Sequence, residues 1–382
     1  KNVERKPLKI TPTSKSIPHD IDMKKALTLI KESKHPVILV GNGVIRANAV
    51  NELKRFAEKN TIYTANTFMS KGVLPNEHKL SLFTVGMQAK DYVMCYFEKA
   101  DLVITIGYDI VEYAPSFWNP KKDKKIVHIG SEPCEVEEHY QVDVELIGDI
   151  KYTLEKLTEL SGFNKGSDYA KRLREIIIKD FGSYENNMDF PLKPQKVLLD
   201  LRKAMKNQDI LISDVGAHKI WISRMFKAIE PNTVIISNGF AAMGIAIPGA
   251  VAAKIAMPKK RVIAVTGDGG FLMNAQEIET AKRLGLAIVI LVFNDQRYGL
   301  TEWKQVLHLK KSFGQRFTNP DFIKFAESFG AVGFKVKSAN ELLPTLNKAL
   351  ATNNVVIIDV PIDFEENFRL SEKLSRNVCL GI

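Results

Sequence analysis

Two aspartates, each placed after a short apolar run, are the residues of this sequence best suited to chemistry. Asp268 lies in a Gly-Asp-Gly-Gly motif that follows the apolar run 262–265, and Asp295 comes shortly after the apolar run 287–293. Short β-branched runs of this kind predict buried parallel strands. Because ligands of open α/β sheets bind at the carboxyl ends of the strands, we expect both carboxylates in one site.

The stretch around Asp268 predicts a site for a diphosphate and a hard cation. Flanking glycines let the backbone approach a diphosphate and offer N–H groups to it. Carboxylate oxygens of Asp268 and Asp295 suit Mg²⁺, with backbone carbonyl and phosphate oxygens completing the shell. Ala275, Ile278 and Ala281 lie between them at helical spacing, so the whole stretch predicts a strand–loop–helix–strand unit. An isolated Gly-Asp-Gly is also found in ordinary turns.

Composition indicates a soluble globular protein with ample core. The chain has 382 residues, enough for two or three domains, with 45% hydrophobic and 26% charged residues. Its formal charge of +10 invites a nucleic-acid interpretation. The lysines are scattered, however, with the densest run at 121–125, and no nucleic-acid motif accompanies them. A solvated basic surface is the favoured interpretation, and we expect no nucleic-acid partner.

The three cysteines predict a reducing environment. Cys95, Cys134 and Cys379 are far apart and lack metal-ligand spacing, so we expect no disulfide framework and a cytoplasmic location. No apolar run approaches ~18 residues, so no membrane span is expected.

Alternating strand and helix patterns predict an α/β protein with two Rossmann-like, doubly wound parallel-sheet domains. The predicted boundaries are a linker at 1–20, a central domain at 21–160, a linker at 161–192, and a second domain with a C-terminal tail at 193–382. In the central domain, the Gly-Asn-Gly turn at 41–43 is compatible with nucleotide binding. It lacks the full dinucleotide fingerprint, so a tight βα turn is the favoured interpretation.

In the second domain, a strand predicted at 210–213 leads to Gly216 and His218 at the start of a helix. Such a helix start can bind phosphate oxygens. A helix cap with a partly exposed histidine is an equal alternative when the segment is taken alone. Met243, in the Gly- and Ala-rich segment that follows, fits a core position on residue type.

Four motifs in order resemble the cofactor-binding domain of acetolactate synthases, which are thiamine diphosphate enzymes. They are VGAHKIW at 215–221, SNGFAAMGIAIPG at 237–249, GDGGF at 267–271 and FNDQRYG at 293–299. Residues 35–149 resemble the central domain of the same enzymes. GYDIVEYAPSFWNP at 107–120 and VIIDVPIDFEEN at 356–367 are similar to the catabolic, FAD-free branch.

The resemblance implies thiamine diphosphate and Mg²⁺ as cofactors and assigns residues to them. Gly216 and His218 would touch the diphosphate. The carbonyl of Ala241 would accept a hydrogen bond from the aminopyrimidine, and Met243 would support the thiazolium. The other residues assigned to the diphosphate and metal end of the cofactor are Asp268, Gly269, Gly270, Asp295, Arg297, Tyr298 and Gly299.

Within that set the metal ligands would be the side chains of Asp268 and Asp295 and the carbonyl of Arg297. The catalytic residues of this chain would be Met243 and Gln305, with Trp303 and Lys304 near the substrate. Asp295 departs from the Asn common in the family but keeps an oxygen ligand. Lys304 stands where relatives have Trp or Gln, which leaves the acceptor substrate open.

The activity implied is condensation of two pyruvates to 2-acetolactate with loss of CO₂, in a homodimer or homotetramer without FAD. Family members carry an N-terminal pyrimidine-binding domain with an activating glutamate. The resemblance begins after that domain, so we expect this chain to be a fragment of a longer enzyme, or one half of a split enzyme completed by another chain, and to be inactive alone. Another thiamine diphosphate-dependent 2-oxo-acid decarboxylase, oxidase or carboligase, or a non-catalytic thiamine diphosphate-binding subunit, are the alternatives.

Overall fold

The computed structural model describes residues 16–86, 91–374 and 378–379, and it contains two all-parallel six-stranded sheets. The first sheet has the order β3-β2-β1-β4-β5-β6. This is the doubly wound order. The chain adds strands toward one edge of the sheet from β1 to β3 and toward the other edge from β4 to β6, so the switch point lies between β1 and β4. Its strands are β1 (Pro36–Val40), β2 (Tyr63–Asn66), β3 (Ser81–Thr84), β4 (Leu102–Ile106), β5 (Lys125–Gly130) and β6 (Val144–Ile147).

The second sheet has the order β11-β12-β10-β9-β7-β8, again with every pair parallel. β9 and β10 are buried almost throughout, as expected of strands covered on both faces. The strands are β7 (Ile210–Ser213), β8 (Val234–Ile236), β9 (Val262–Gly267), β10 (Val289–Asn294), β11 (Val332–Lys335) and β12 (Val356–Pro361).

Helices cover both faces of each sheet. Those of the first half are α1 (Asp20–Glu32), α2 (Gly43–Arg46), α3 (Val50–Asn60), α4 (Tyr92–Lys99), α5 (Pro115–Trp118), α6 (Ile150–Leu160) and α7 (Asp168–Gly182), with a 3₁₀ turn at Phe68–Ser70. Those of the second half are α8 (Pro194–Ala204), α9 (Ala217–Met225), α10 (Ala246–Ala256), α11 (Asp268–Asn274), α12 (Glu277–Arg283), α13 (Gly299–Leu309), α14 (Phe322–Ser328), α15 (Ala339–Ala351) and α16 (Glu366–Lys373).

Side-chain pattern explains why these helices dock on the sheets. In α3, Leu53, Phe56 and Ala57 are fully buried and lie on one face, at helical spacing. α7 begins at Ser167, whose hydroxyl accepts from the N–H of Ala170 and so satisfies one of the free donors of the first turn. Burying a side chain such as Phe56 contributes about 1.5–3 kcal/mol.

The predicted fold class is confirmed, with two Rossmann-like parallel sheets. β3 and β6 have no clear strand pattern in the sequence, because they are four residues each and carry Ser, Thr or Glu among their apolar residues. The segment 161–192, predicted as a linker, contains α7, and the domain boundaries stay a prediction. Residues 1–15 of the predicted linker at 1–20 lie outside the described residues.

Buried charged groups join the two halves. The guanidinium of Arg224, on α9, donates to Asp91 at 3.0 Å and to Asp180 at 2.9 Å, and both carboxylates belong to the first half. The ammonium of Lys71 is fully buried and donates to the carbonyl of Ser223 at 2.8 Å. Because these contacts satisfy groups that would otherwise be buried without partners, they hold the two halves in one arrangement.

The expectation of three unpaired cysteines was wrong for two of them. A disulfide joins Cys95 on α4 to Cys379 near the C-terminus, across a sequence separation of 284 residues, while Cys134 is free. Sequence spacing gives no sign of this pair, because only folding brings the tail against α4. Among the described residues, no helix is both long and apolar enough to cross a bilayer.

Candidate cofactor site

A cavity of about 320 Å³ lies at the carboxyl ends of β7, β9 and β10. This is the edge at which open α/β sheets bind ligands. The cavity brings together every residue that the sequence assigned to the cofactor. These are Gly216, His218, Ala241, Met243, Asp268, Gly269, Gly270, Asp295, Arg297, Tyr298 and Gly299.

His218 faces this cavity from the first turn of α9. It is 5% exposed, and its Nε2 atom has no hydrogen-bond partner among the described residues. Burial lowers the pKa of His218 to about 4, so the imidazole is neutral at pH 7. A Cβ at Gly216 would lie 2.7 Å from the ring, so glycine is needed there to leave the ring in place. An unpartnered buried nitrogen on a cavity wall fits a polar ligand.

Asp268 is 1% exposed and its carboxylate is held on both oxygens. One oxygen accepts from the N–H of Gly269 at 2.8 Å, and the other from the N–H of Gln296 and the amide of Asn319, both at 2.7 Å. The Gly-Asp-Gly-Gly motif forms the first turn of α11, where a separate loop was expected. Asp268 is therefore fixed by two loops at the end of the sheet.

Asp295 lies beside Asp268 and is only partly exposed to solvent. Burial is the main cause that raises the pKa of Asp295 to about 8, and the neighbouring Asp268 carboxylate raises it further. Burial likewise raises the pKa of Asp268. Two adjacent carboxylates with little access to solvent are costly as anions, and a cation between them would offset that cost.

The residues present fit a magnesium ion bound together with a diphosphate. Mg²⁺ is commonly held by one or two carboxylates plus phosphate oxygens. Over the described residues there is no group of three or more His, Cys, Asp or Glu arranged to hold a metal. The pair Asp268 and Asp295 thus leaves ligand positions that carbonyl, phosphate and water oxygens would fill. The carbonyl of Arg297 accepts from the N–H of Gly299 at 2.9 Å.

The segment 237–245 brings Ala241 and Met243 to the cavity. Ala241 has a φ of 43°, a left-handed conformation that is uncommon outside glycine, so its backbone is held by its surroundings. Part of the restraint comes from Asp214, whose carboxylate accepts from the N–H of Gly244 at 2.8 Å. The amide of Asn274 donates to the Gly244 carbonyl at 3.0 Å.

The structure does not bring every predicted residue to the cavity. Gln305 is absent from the described residues that line it, and its side-chain oxygen accepts from the N–H of Phe313 at 3.1 Å. Trp303 is buried, and its indole donates to Ser371 of α16 at 2.8 Å. The catalytic role of Gln305 and the substrate contacts of Trp303 and Lys304 stay predictions.

Sequence reasoning missed three polar residues of this site. Asp214 is fully buried and supports the segment 237–245, Asn319 holds Asp268, and Asn367 of α16 lines the cavity. Asp214 carried a usable signal, since it follows β7 directly and lies two residues before Gly216. Asn319 lies outside the quoted motifs and carried no such signal, and Asn367 ends the motif at 356–367, which indicates the family branch and not the cavity.

Together, the doubly wound sheets and the cavity at the strand ends define an α/β protein whose cavity fits a diphosphate-bearing cofactor. Family models give the class a name. Residues 214–360 match the model described as "Thiamine pyrophosphate enzyme, C-terminal TPP binding domain", and residues 23–157 match "Thiamine pyrophosphate enzyme, central domain". The chain belongs to the thiamine pyrophosphate enzymes and has their central and C-terminal domains.

Within this family, the curated proteins similar to this chain include acetolactate synthases. The acetolactate synthase of Bacillus subtilis is 34% identical over 360 residues, which is 92% of this chain and 63% of that protein. A probable acetolactate synthase large subunit of Methanocaldococcus jannaschii is 33% identical, covering 91% of this chain and 61% of that protein. A catabolic acetolactate synthase of Raoultella terrigena is 33% identical, covering 88% and 61%. The chain thus spans about three fifths of the length of these relatives.

Proposed function

We propose that this chain binds thiamine diphosphate and Mg²⁺ and serves in a carboligase that converts two pyruvates to 2-acetolactate and CO₂. The observation that carries the proposal is the one cavity lined by the carboxylates of Asp268 and Asp295, by His218, and by Ala241 and Met243. The similarity to acetolactate synthases supports pyruvate as the substrate.

Each wall of the cavity would act on a different part of the cofactor. Asp268 and Asp295 would hold the metal, and the carbonyl of Arg297 would add a ligand. Neutral His218 and the backbone at Gly216 would contact the diphosphate. Met243 and Ala241 would support and orient the rings. Bound thiamine diphosphate supplies the electron sink for decarboxylating a 2-oxo acid.

A partner domain is part of the proposal. Of the described residues that line the cavity, none is a glutamate, whereas the family resemblance calls for one to activate the cofactor. We therefore propose that turnover needs a glutamate from a pyrimidine-binding domain, brought by a homodimer or homotetramer, and that this chain alone does not turn over. A cytoplasmic location and the absence of FAD are further parts of this proposal.

The metal-binding role is tested by Asp268→Asn. Asp268→Asn should strongly weaken Mg²⁺-dependent thiamine diphosphate binding, because the amide carries no negative charge and offers one oxygen to the cation where the carboxylate offers two. Binding is measured by calorimetry and by the fluorescence of Trp221, which lines the cavity. The matched control is Asp123→Asn, an exposed loop carboxylate, which should bind as the wild type does. Equal binding by both variants would refute the assignment of Asp268.

The reaction itself is tested by product analysis with pyruvate, for this chain alone and with a pyrimidine-binding domain supplied by a relative. 2-Acetolactate only in the second mixture supports the proposal. Acetaldehyde or acetate as the product would favour a decarboxylase or an oxidase. Binding without any product in either mixture would favour a non-catalytic subunit, and 2-acetolactate from the chain alone would overturn the need for a partner domain.

A further inference from the structure

Glu112 is a buried carboxylate with no role in the site described above. It follows β4, is 6% exposed, and points toward the turn after β1. The N–H of Asn42 donates to both of its carboxylate oxygens, at 2.9 and 3.2 Å, and the hydroxyl of Thr67 donates to one of them. In dinucleotide-binding domains the N–H groups of this turn face phosphate oxygens. Here a side chain of the same chain takes that place.

The turn is closed tightly around this carboxylate. The N–H of Gly43 donates to the carbonyl of Gly107 at 2.8 Å. A Cβ at Gly41 would lie 2.4 Å from that carbonyl oxygen and 2.8 Å from a carboxylate oxygen of Glu112. The side chain of Glu112 is thus wedged between the ends of β1 and β4, and it fixes the segment 109–113 to the first sheet.

The segment 109–113 in turn holds the start of the cofactor segment 237–245. The amide nitrogen of Asn238 donates to the backbone carbonyl of Glu112 at 2.7 Å. The ammonium of Lys219 donates to the Asn238 side-chain oxygen and to the Ser237 carbonyl, both at 2.9 Å. Asn238 therefore makes hydrogen bonds both to its own domain, through Lys219, and to the central domain, through Glu112.

At the far end of the cofactor segment, Gly244 is held from its own domain by hydrogen bonds with Asp214 and Asn274. Ala241, with its left-handed backbone, lies between the two anchors. A residue in this conformation persists only where the surroundings impose it. The anchor at Asn238 is thus one of two that keep Ala241 and Met243 turned to the cavity.

We propose that Glu112 is a positioning residue, which fixes the segment 109–113 in the central domain and, through Asn238, sets the conformation of the segment carrying Ala241 and Met243. The inference rests on the proposed function only in taking thiamine diphosphate to bind beside Ala241 and Met243. The effect of Glu112 on the conformation of the segment 237–245 does not depend on the cofactor and is tested separately.

The first test is hydrogen–deuterium exchange of peptides covering 237–245 in Glu112→Ala, Glu112→Gln and Asn238→Ala. Exchange in this segment should rise in both alanine variants, while peptides covering β9 stay at the wild-type level. Glu112→Gln should remain close to the wild type, because its amide oxygen can still accept from Asn42. Unchanged exchange in folded Glu112→Ala and Asn238→Ala would overturn the proposal. Asn238→Ala breaks the link without emptying a buried position, so it decides the question if Glu112→Ala does not fold.

The second test is rescue by a small anion. Acetate should restore slow exchange to Glu112→Ala, since it can occupy the vacated carboxylate position beside Asn42 and Thr67. It should not restore Asn238→Ala, and sodium chloride at equal ionic strength should restore neither. Rescue of both variants by either salt would show a general salt effect and contradict the specific role.

The third test measures thiamine diphosphate affinity in the presence of Mg²⁺. Because Asn238 holds the segment that carries Ala241 and Met243, Asn238→Ala and Glu112→Ala should each weaken binding by about twofold or more, and effects within one network are not additive. The double variant should be little weaker than either single one. Failure of the wild type to bind thiamine diphosphate would refute the proposed function and leave the exchange result standing. Full additivity of the two substitutions would refute the link between Glu112 and Asn238.

Discussion

At the scale of single residues, the carboxylate of Asp268 is oriented by an amide that comes from far along the chain. Asn319 donates to Asp268 at 2.7 Å and to the side-chain oxygen of Asn294 at 2.9 Å, and Asn294 donates to Asp359 at 2.7 Å. This row of side chains crosses the ends of β10 and β12. It fixes the rotamer of Asp268 before any cation arrives, which lowers the cost of binding one.

We therefore expect Asn319→Ala to weaken Mg²⁺ binding while leaving the ligand carboxylates in place. Loss of such a supporting contact commonly costs about 10- to 100-fold in metal affinity. The measurement is the Mg²⁺ concentration that gives half-maximal thiamine diphosphate binding. Asn347→Ala, an exposed position on α15, is the matched control. An unchanged Mg²⁺ requirement would show that Asp268 needs no support from Asn319.

Residue-scale prediction succeeded where chemistry is encoded locally. Asp268 and Asp295 follow strands directly, so their meeting at one sheet edge could be inferred from pattern alone. The pairing of Cys95 with Cys379 and the contact of Asn319 with Asp268 could not, because they depend on where distant segments pack. The inward turn of Trp303 toward α16 depends on a tail whose path local pattern does not set.

At the scale of elements, β7, β9 and α11 meet at Gly270. A Cβ there would lie 3.0 Å from a carboxylate oxygen of Asp214 and 3.0 Å from the hydroxyl of Thr266. These two atoms are already joined by a hydrogen bond of 2.9 Å, and Asp214 also holds Gly244. Neither atom can move without breaking a buried contact.

Gly270→Ala should accordingly displace the first turn of α11 and destabilise the fold by about 1–3 kcal/mol, the usual cost of overpacking. The free energy of unfolding in urea measures the effect. Gly182→Ala is the control, because a Cβ at this helical glycine would meet nothing within 4 Å. The control should be neutral or slightly stabilising. Equal stability of the two variants would mean that α11 can shift to admit the added methyl group at no cost.

Element prediction from pattern was accurate for buried apolar runs. The strand predicted at 210–213 is β7, with the same limits, Ile210–Ser213. The central unit differs in one respect, since its helix is interrupted at Ala275 and Gln276 and forms α11 and α12. Short strands such as β3 and β6 are set by tertiary pairing with neighbours, which local pattern cannot supply.

At the scale of the whole molecule, Lys71 makes the joint between the halves sensitive to pH. Its fully buried ammonium donates to Ser223 at 2.8 Å and to Thr84 at 3.1 Å, and no carboxylate is among these partners. Burial lowers the pKa of Lys71 from 10.5 to about 7. Between these values the unfolded chain binds a proton that the folded chain does not, so the free energy of unfolding should rise with pH.

Replacement by a side chain of similar length and no charge should remove this dependence. Thermal midpoints of wild type should rise from pH 7 toward pH 10.5 more steeply than those of Lys71→Met. Lys25→Met, at an exposed ion pair on α1, should keep the wild-type slope. Parallel pH profiles for wild type and Lys71→Met would show that the buried amine does not titrate in this range.

The cavity includes Ile362 and Asn367, which lie beyond the end of β12 at Pro361 and beyond residue 360, where the family match ends. A chain truncated after β12 would therefore keep every strand of the second sheet but lose Ile362 and Asn367 from the wall of the cavity. The truncation would also delete Cys379 and free α4 from its covalent tether. Anyone trimming this chain for crystallisation should therefore keep the segment after β12, because Ile362 and Asn367 form part of the cavity wall.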